Sequence, residues 1–531
     1  MADRSVAHLL VGGGMAAGNC ARHLREQGAE GDILLVGREP ELPYNRPPLS
    51  KQYVRGEESK DEVLFRPASW YEQQRIEALT RTTVTRIDPN ERLATLSNGE
   101  RVRFDKALLA TGANVRILHA EGAERDGIHY LRTLHNSDAL RAELEQAERV
   151  AIIGGSFIGT ELAASFTALG KQCELIMLES APLERFFGPE VGGFFQRVLT
   201  EHGVAVHGSQ ELARFEGSGG RVGRVVTKAG LEIDCDFVVI GVGVHPDVHL
   251  AEEAGIETNS GVLTDRCLET SAPGIFAAGD IAEYDSAIHG RRLRIEHWDV
   301  AFNQGKTAAL NMLGKRQPHD VVPYFWSDLA DWSSMEYVGP ALEWDEIWWR
   351  GSRDAGVFTA WYLKDARLAA ALTVGRSADL EAARRLLTQG VDLTGKRPVL
   401  EDPADDLAAL ESARAEPHGS LLGTIAQYAG APKQFVKGRF ARRGTELPGS
   451  GEGRVVQVDG DKVAAYREKD GELHAVSAVC THLRCVVEWN GADRTWDCPC
   501  HGSRFDYDGR VIKGPAKTDL EQKPVAEPAS R

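Results

Sequence analysis

The sequence predicts a multidomain chain built mainly of α/β units, with a small separate module near its C-terminus. Three observations carry this. Residues 6–37 and residues 150–179 each read as strand, glycine-rich turn, helix, strand, the order of a dinucleotide-binding fold. Far from both, two short boxes that mix cysteine with histidine lie close together, at residues 480–485 and 498–503.

The first unit opens with the apolar run 6–11, followed by Gly12-Gly13-Gly14-Met15-Ala16-Ala17, a helical pattern to Gln27 and a second strand at 32–37. Gly12 permits the tight turn. Gly14 lets backbone amides approach a pyrophosphate at the helix N-terminus, and Ala17 is small enough for the helix to lie on the strand. Glu39 follows the second strand, where a carboxylate accepts a ribose hydroxyl. A glycine-rich turn also serves simply to join strand to helix, so one such unit does not separate cofactor binding from connection.

The stretch Leu-Pro-Tyr-Asn-Arg-Pro-Pro-Leu-Ser-Lys at residues 42–51 resembles the flavin-side loop of FAD-dependent ferredoxin reductases and apoptosis-inducing-factor relatives. A proline-rich surface turn is the plainer reading of the same residues. The resemblance implies that Arg46 and Lys51 lie near the flavin, Lys51 close to the ring's reactive nitrogen, where a cation favours the anionic reduced form. It also implies that the backbone of Val84, in a β-like run at 82–87, meets the adenine. Residues 106–110 read as a strand ending in Ala110-Thr111-Gly112, the exit of such an FAD domain.

The second unit runs through Gly154-Gly155-Ser156-Phe157-Ile158-Gly159 and a helix to about Gly170. Two such units in one chain are much stronger evidence than one. Ser156 departs from the G-x-G-x-x-G pattern at its second glycine, and its side chain either crowds the pyrophosphate or donates a hydrogen bond to it. Glu179 stands about 20 residues after the loop, where a carboxylate accepts a ribose 2′-hydroxyl and repels a 2′-phosphate, so NADH is expected over NADPH. Glu161, by resemblance, faces the nicotinamide side and pairs with Lys51; a solvated helix carboxylate is the alternative. Gly241-Val242-Gly243 closes the NAD unit.

Ile275-Phe276-Ala277-Ala278-Gly279-Asp280 resembles the family's second flavin motif, which implies that Asp280 hydrogen-bonds the ribityl chain. Glu296-His297-Trp298, followed by Gln304-Gly305, resembles the segment that closes over the isoalloxazine. The NAD unit is therefore expected as an insertion in the FAD unit. Disulfide reductases of this fold carry a cysteine pair beside the flavin, whereas residues 46–51 here contain none. The electrons must then leave the flavin by another route.

Residues 323–328, Pro-Tyr-Phe-Trp-Ser-Asp, open a stretch that resembles the small C-terminal interface domain of ferredoxin reductases. Six of the ten tryptophans, Trp326, Trp332, Trp344, Trp348, Trp349 and Trp361, fall within it. They either pack its sheet or dock a redox partner. Residues 393–453 are rich in Pro, Gly, Ala and charge, with weak helical patterns at 405–414 and 421–429, and read as a partly structured tether. Its basic cluster, Lys433, Lys437, Arg439, Arg442 and Arg443, is either a solvated face or a contact that pins the next module.

Zinc sites pair like ligands, as C-x2-4-C and H-x3-5-H, whereas both C-terminal boxes mix Cys with His. Two cysteines with two histidines match a Rieske 2Fe-2S centre, in which thiolates bind one iron and imidazoles the other. Cys480, His482, Cys498 and His501 supply that set, and residues 454–525 resemble the Rieske proteins of quinol-oxidising complexes. The resemblance implies a Cys485–Cys500 disulfide, a hydrogen bond from Ser503 to cluster sulfur and a Gly514-Pro515-Ala516 lid. Phe505 stands where those relatives have a tyrosine donor, which lowers the potential. Arg484 replaces a glycine beside the cluster.

The expected fold is thus multidomain α/β plus all-β: two Rossmann-like domains, FAD over 1–115 and 245–320 with NAD(H) over 116–244 inserted, a small α+β interface domain over 321–392, the tether over 393–453 and a Rieske β-sandwich over 454–531. With 42% hydrophobic and 26% charged residues, 531 residues suffice for several cores. A net charge of −16 disfavours nucleic acid and anionic membrane surfaces. The absence of a long apolar run or a signal-peptide core, and the singly scattered Cys20, Cys173, Cys235 and Cys267, point to the cytoplasm. A cytosolic disulfide is in tension with that compartment and needs shielding by the cluster loops.

The inventory implies an oxidoreductase that takes a hydride from NADH onto FAD and releases single electrons to the Rieske cluster, then to an oxygenase or other one-electron acceptor. An NADH-responsive sensor, or an NADH oxidase with the Rieske domain as docking module, remains open. So does the oligomeric state, with a homodimer among the arrangements.

Overall fold

The computed structural model describes residues 4–405, 407, 410, 447–458, 461–468, 470–481, 486–490, 494–498, 503–513 and 516–523. The chain divides into two compact units, residues 1–415 and 416–531.

In the first unit, strands Arg4–Val11, Ile33–Val36 and Ile76–Leu79 pair in parallel on one side of Arg101–Leu109. Apolar runs such as Ile33-Leu34-Leu35-Val36 are buried on both faces, as a covered parallel sheet requires. On the other side of Arg101–Leu109, its first half pairs with Leu93–Leu96 and its second half with the late strand Ile275–Ala277. One sheet therefore joins the start of the chain to residues beyond 270. Between them a second, wholly parallel sheet forms from residues 128–240, in the order Ala205–His207, Gln172–Ile176, Arg149–Ile153, Phe237–Ile240, Ile128–Tyr130. The two crossings between these Rossmann-like domains, Ala113–Val115 and Val244–Pro246, pair antiparallel with each other. The second Rossmann-like domain is inserted in the first.

A third domain is an antiparallel sheet, Tyr324–Leu329, Ser333–Val338, Arg367–Val374, Val357–Lys364, Glu346–Ser352, covered by helix Asp379–Gln389. Four of its six tryptophans take one of two places. Trp348 and Trp361 are buried in the core beneath that helix, whereas Trp326 and Trp344 face the cleft described below. The domain also extends past residue 392, where the tether was expected to begin. Leu393, Leu400, Leu407 and Leu410 are buried in the same core. The buried guanidinium of Arg350 fastens this extension by donating to the carbonyls of Val399, Pro403, Asp402 and Asp405. Residues 411–446 of the tether, with its basic cluster, lie outside the described residues.

Among its described residues the second unit is built of β-strands. One antiparallel sheet comprises Gly453–Val458, Asp461–Arg467 and Leu473–Ser477, and another Glu488–Asn490, Thr495–Asp497, Arg504–Asp506 and Val511–Lys513. Tyr466, Trp496, Phe505, Cys480 and Cys498 share its core.

Candidate active site

A cleft of about 1520 Å³ runs through the first unit, with walls from all three of its domains. Both glycine turns open into it. Gly12 has φ +128°, and a Cβ there would lie 2.1 Å from the Ala110 carbonyl oxygen, so only glycine fits where the turn passes the Ala110-Thr111-Gly112 strand exit. The helices that follow, Met15–Glu26 and Phe157–Ala168, have no side-chain cap and no acid in their first turn. Their free N–H groups and positive dipole ends suit anionic pyrophosphate.

Gly12, Gly13, Gly14, Met15, Ala16, Glu39, Arg46, Lys51, Val84, Ala110, Thr111 and Gly112 line the cleft from the first part of the FAD domain. Gly279, Asp280, Glu296, His297 and Trp298 line it from the returning part, and Ser156, Phe157, Ile158 and Glu161 from the NAD domain. Five other expected residues are not on the wall but build the turns behind it. Ala17 is fully buried on the inner face of the first helix. A Cβ on Gly154 would meet the Gly241 carbonyl oxygen at 2.4 Å, one on Gly155 the Met177 sulfur at 2.4 Å, and one on Gly159 the Gly154 carbonyl oxygen at 1.9 Å. Glu179 is also off the wall. It is half-buried beyond strand Gln172–Ile176, where its carbonyl accepts from the Ser209 amide.

The Ser156 hydroxyl donates to the Gly241 carbonyl at 2.8 Å, tying the turn to the closing strand. Glu39 is engaged by Arg46 Nη2 at 2.5 Å and by the Tyr44 hydroxyl at 2.5 Å. Burial pushes its carboxyl up, but the Arg46 charge and these hydrogen bonds outweigh that and hold it below the usual range. Its two oxygens still have lone pairs for a ribose hydroxyl. Asp280 pairs with Arg132 at 2.7 Å. Arg132 lines the cleft without any local sequence signal, 148 residues from its partner.

At the centre Lys51 Nζ pairs with Glu161 Oε1 at 2.7 Å, both side chains being about 5% exposed or less. The other Glu161 oxygen accepts from Ser50 Oγ at 2.5 Å. On the same cleft wall Phe157, Phe325 and His297 pack in turn with tilted rings, centroids 4.4 and 4.3 Å apart. Burial pushes His297 down to about 4, so its imidazole is neutral. Burial also pushes the neighbouring Asp299 carboxyl up to about 6. Trp298 donates to Asn45 Oδ1 and packs against Phe302 and Trp326. Two buried polar atoms on the wall, His297 Nδ1 and Arg294 Nε, have no hydrogen-bond partner in the protein. A flavin dinucleotide fits this set: glycine turns and uncapped helix starts for phosphates, two unpartnered polar atoms, and an apolar aromatic wall.

Residues 6–305 match the family described as pyridine nucleotide-disulphide oxidoreductase. The chain belongs to that family. Residues 324–411 match the reductase C-terminal domain and residues 440–524 the Rieske [2Fe-2S] domain. The rhodocoxin reductase of Rhodococcus erythropolis is 33% identical over 386 residues, 73% of this chain and 90% of that protein. The ferredoxin–NAD(+) reductase component of the anthranilate 1,2-dioxygenase system of Burkholderia cepacia is 35% identical over 385 residues, 72% of this chain and 94% of that protein. Among solved structures, a ferredoxin reductase from Rhodopseudomonas palustris aligns with a TM-score of 0.73 at 33% identity, covering 77% of this chain and 99% of that one. The protein is thus an NADH-dependent, FAD-containing oxidoreductase of ferredoxin-reductase type carrying a C-terminal Rieske 2Fe-2S domain. Despite the family's description, no cysteine lines the cleft among the described residues.

In the Rieske domain Cys480 and Cys498 are buried in the core, which suits them as thiolate ligands of a cluster. Ser503 is fully buried, and its hydroxyl accepts from the Ala516 amide. Phe505, also fully buried, pairs across the sheet with Trp496. His482, Arg484, Cys485, Cys500, His501 and Gly514-Pro515 lie outside the described residues. No helix among the described residues is long and apolar enough to cross a membrane.

Proposed function

We propose that the chain takes electrons from NADH onto FAD at the Lys51–Glu161 pair, passes them singly to its own Rieske cluster, and delivers them to a one-electron acceptor protein of an oxygenase system. What carries the reading is the meeting, in one cleft without a cysteine among its described residues, of two uncapped glycine turns at a buried ion pair. When bound, FAD supplies the change from two-electron to one-electron transfer that a 2Fe-2S acceptor requires.

In this reading residues 1–115 and 245–320 hold FAD, residues 116–244 hold NADH, and residues 454–531 hold the cluster through Cys480, His482, Cys498 and His501. Gly12 to Ala16 and the helix start behind them take the FAD pyrophosphate, with Glu39 on the adenosine ribose and Asp280 toward the ribityl chain. Ser156, Phe157 and Ile158 take the NADH side. Lys51 holds a positive charge where reduction adds negative charge, and Glu161 holds Lys51 in place. Phe157, Phe325 and neutral His297 exclude water from the hydride path without adding a competing charge. The relatives' names support the acceptor class, since one belongs to a dioxygenase system.

The test is anaerobic titration of the purified protein with NADH, following flavin absorbance and the electron paramagnetic resonance of the reduced cluster. The proposal expects the cluster signal to rise as flavin cycles. A loaded cluster that stays oxidised beside reduced flavin refutes internal transfer.

A further inference from the structure

Glu161 receives donors from two stretches of chain that are far apart in sequence. Besides Ser50 and Lys51, the hydroxyl of Ser327 donates to Glu161 Oε1 at 2.6 Å across 166 residues. Ser50, Lys51, Glu161 and Ser327 are each 4% exposed or less. Ser327 comes from the third domain, on strand Tyr324–Leu329, and shares a face with Phe325 and Leu329 by the alternation of a strand. Ladder pairing sets its position, Ser327 lying opposite Met335 on the neighbouring strand. A sheet edge, not a loop, thus carries the hydroxyl to Glu161.

Lys51 Nζ and Ser327 Oγ share one carboxylate oxygen, and Ser50 holds the other. Each oxygen of a carboxylate offers about two acceptor sites. With both oxygens held by hydroxyls on rigid elements, the carboxylate plane cannot turn, and the ammonium that leans on it has one position. Remove Ser327 and Oε1 is held by Lys51 alone. The carboxylate then follows the lysine instead of placing it.

We propose that Ser327 is a positioning residue for hydride transfer, acting through Glu161 to hold Lys51 Nζ against the flavin site. This rests on the reading of Lys51 as the cation beside the flavin's reactive nitrogen. It assigns the third domain a part in the chemistry in addition to closing the cleft.

The experiment uses the full FAD-loaded chain, mixed with NADH under anaerobic conditions, with the limiting rate of flavin bleaching and its half-saturation read together. Ser327→Ala is expected to lower the limiting rate about tenfold, equivalent to about 1.4 kcal/mol. Half-saturation by NADH stays within about twofold, because substrate binding is untouched. Ser327→Thr, which keeps the hydroxyl, restores most of the rate, and Ser327→Val, which keeps the size of threonine without its hydroxyl, does not. The midpoint potential of the bound flavin, read by dye equilibration, shifts in Ser327→Ala and returns toward the parent in Ser327→Thr. A parental rate and potential in Ser327→Ala, alongside a slow Lys51→Met, overturns the inference and leaves the reading of Lys51 standing. A parental rate in Lys51→Met overturns both. Equal losses in Ser327→Ala and Ser327→Thr, with FAD lost from each, make the residue a packing element and also overturn the inference.

Discussion

Replacing Glu161 with glutamine keeps the side chain's shape and removes its charge. The new amide nitrogen cannot sit at the Oε1 position, where it would face two donors, Lys51 Nζ and Ser327 Oγ. It can sit at the Oε2 position, because the Ser50 hydroxyl lies 3.4 Å from the Pro47 carbonyl and can turn to donate there while accepting from the amide. The hydrogen bonds are then nearly all kept, and the loss is isolated to the counter-charge of an ammonium 5% exposed. Removing one partner of a buried pair costs about 3–5 kcal/mol. With a urea slope of about 3 kcal/mol per molar or more for a protein this large, that cost lowers the unfolding midpoint by about 1 M. The assay is urea unfolding of the FAD-loaded protein, followed by release of flavin fluorescence. The double variant Lys51→Met with Glu161→Gln removes both charges, recovers most of the midpoint and stays slow in NADH-driven flavin bleaching. A single-variant midpoint within about 0.2 M of the parent, well under the shift worked from that slope, would show that the ammonium was never stranded and would refute the coupling.

Gly12→Ala forces a Cβ to 2.1 Å from the Ala110 carbonyl at φ +128°, so the purified variant should lack FAD by absorbance, and full flavin content would contradict the account of the turn. Burial of His319 holds it down at about 4, against about 6.5 in the unfolded chain. Its contribution is therefore complete above about pH 6.5 and is lost as pH falls through about 4, up to about 3 kcal/mol across that window. His319→Asn should flatten the pH dependence of the urea midpoint there, and an unchanged slope would count against it.

How much of this was legible in the sequence depended on whether the cause was local. Gly12 and Gly154 were readable because each turn needs a positive φ beside a passing carbonyl. The Lys51–Glu161 pair was reached through family resemblance, since no local pattern connects residues that far apart. Arg132 and Ser327 carried no signal, because each acts only where tertiary packing brings it to Asp280 or Glu161. Ser156 was correctly seen as a departure from the glycine pattern, but the partner of its hydroxyl, the Gly241 carbonyl, depends on the fold of the closing strand. Residues 393–410 looked like a tether from their Pro and charge content. The regular leucines at 393, 400, 407 and 410, now in the core with Trp361, were the stronger signal.

Because the cleft draws its walls from all three domains of the first unit, a flavin bound there would couple the stability of the three. A ligand that binds only the assembled walls stabilises them together by mass action. A cell short of flavin would therefore hold chains whose third domain is less firmly docked, and these are the chains proteases reach first.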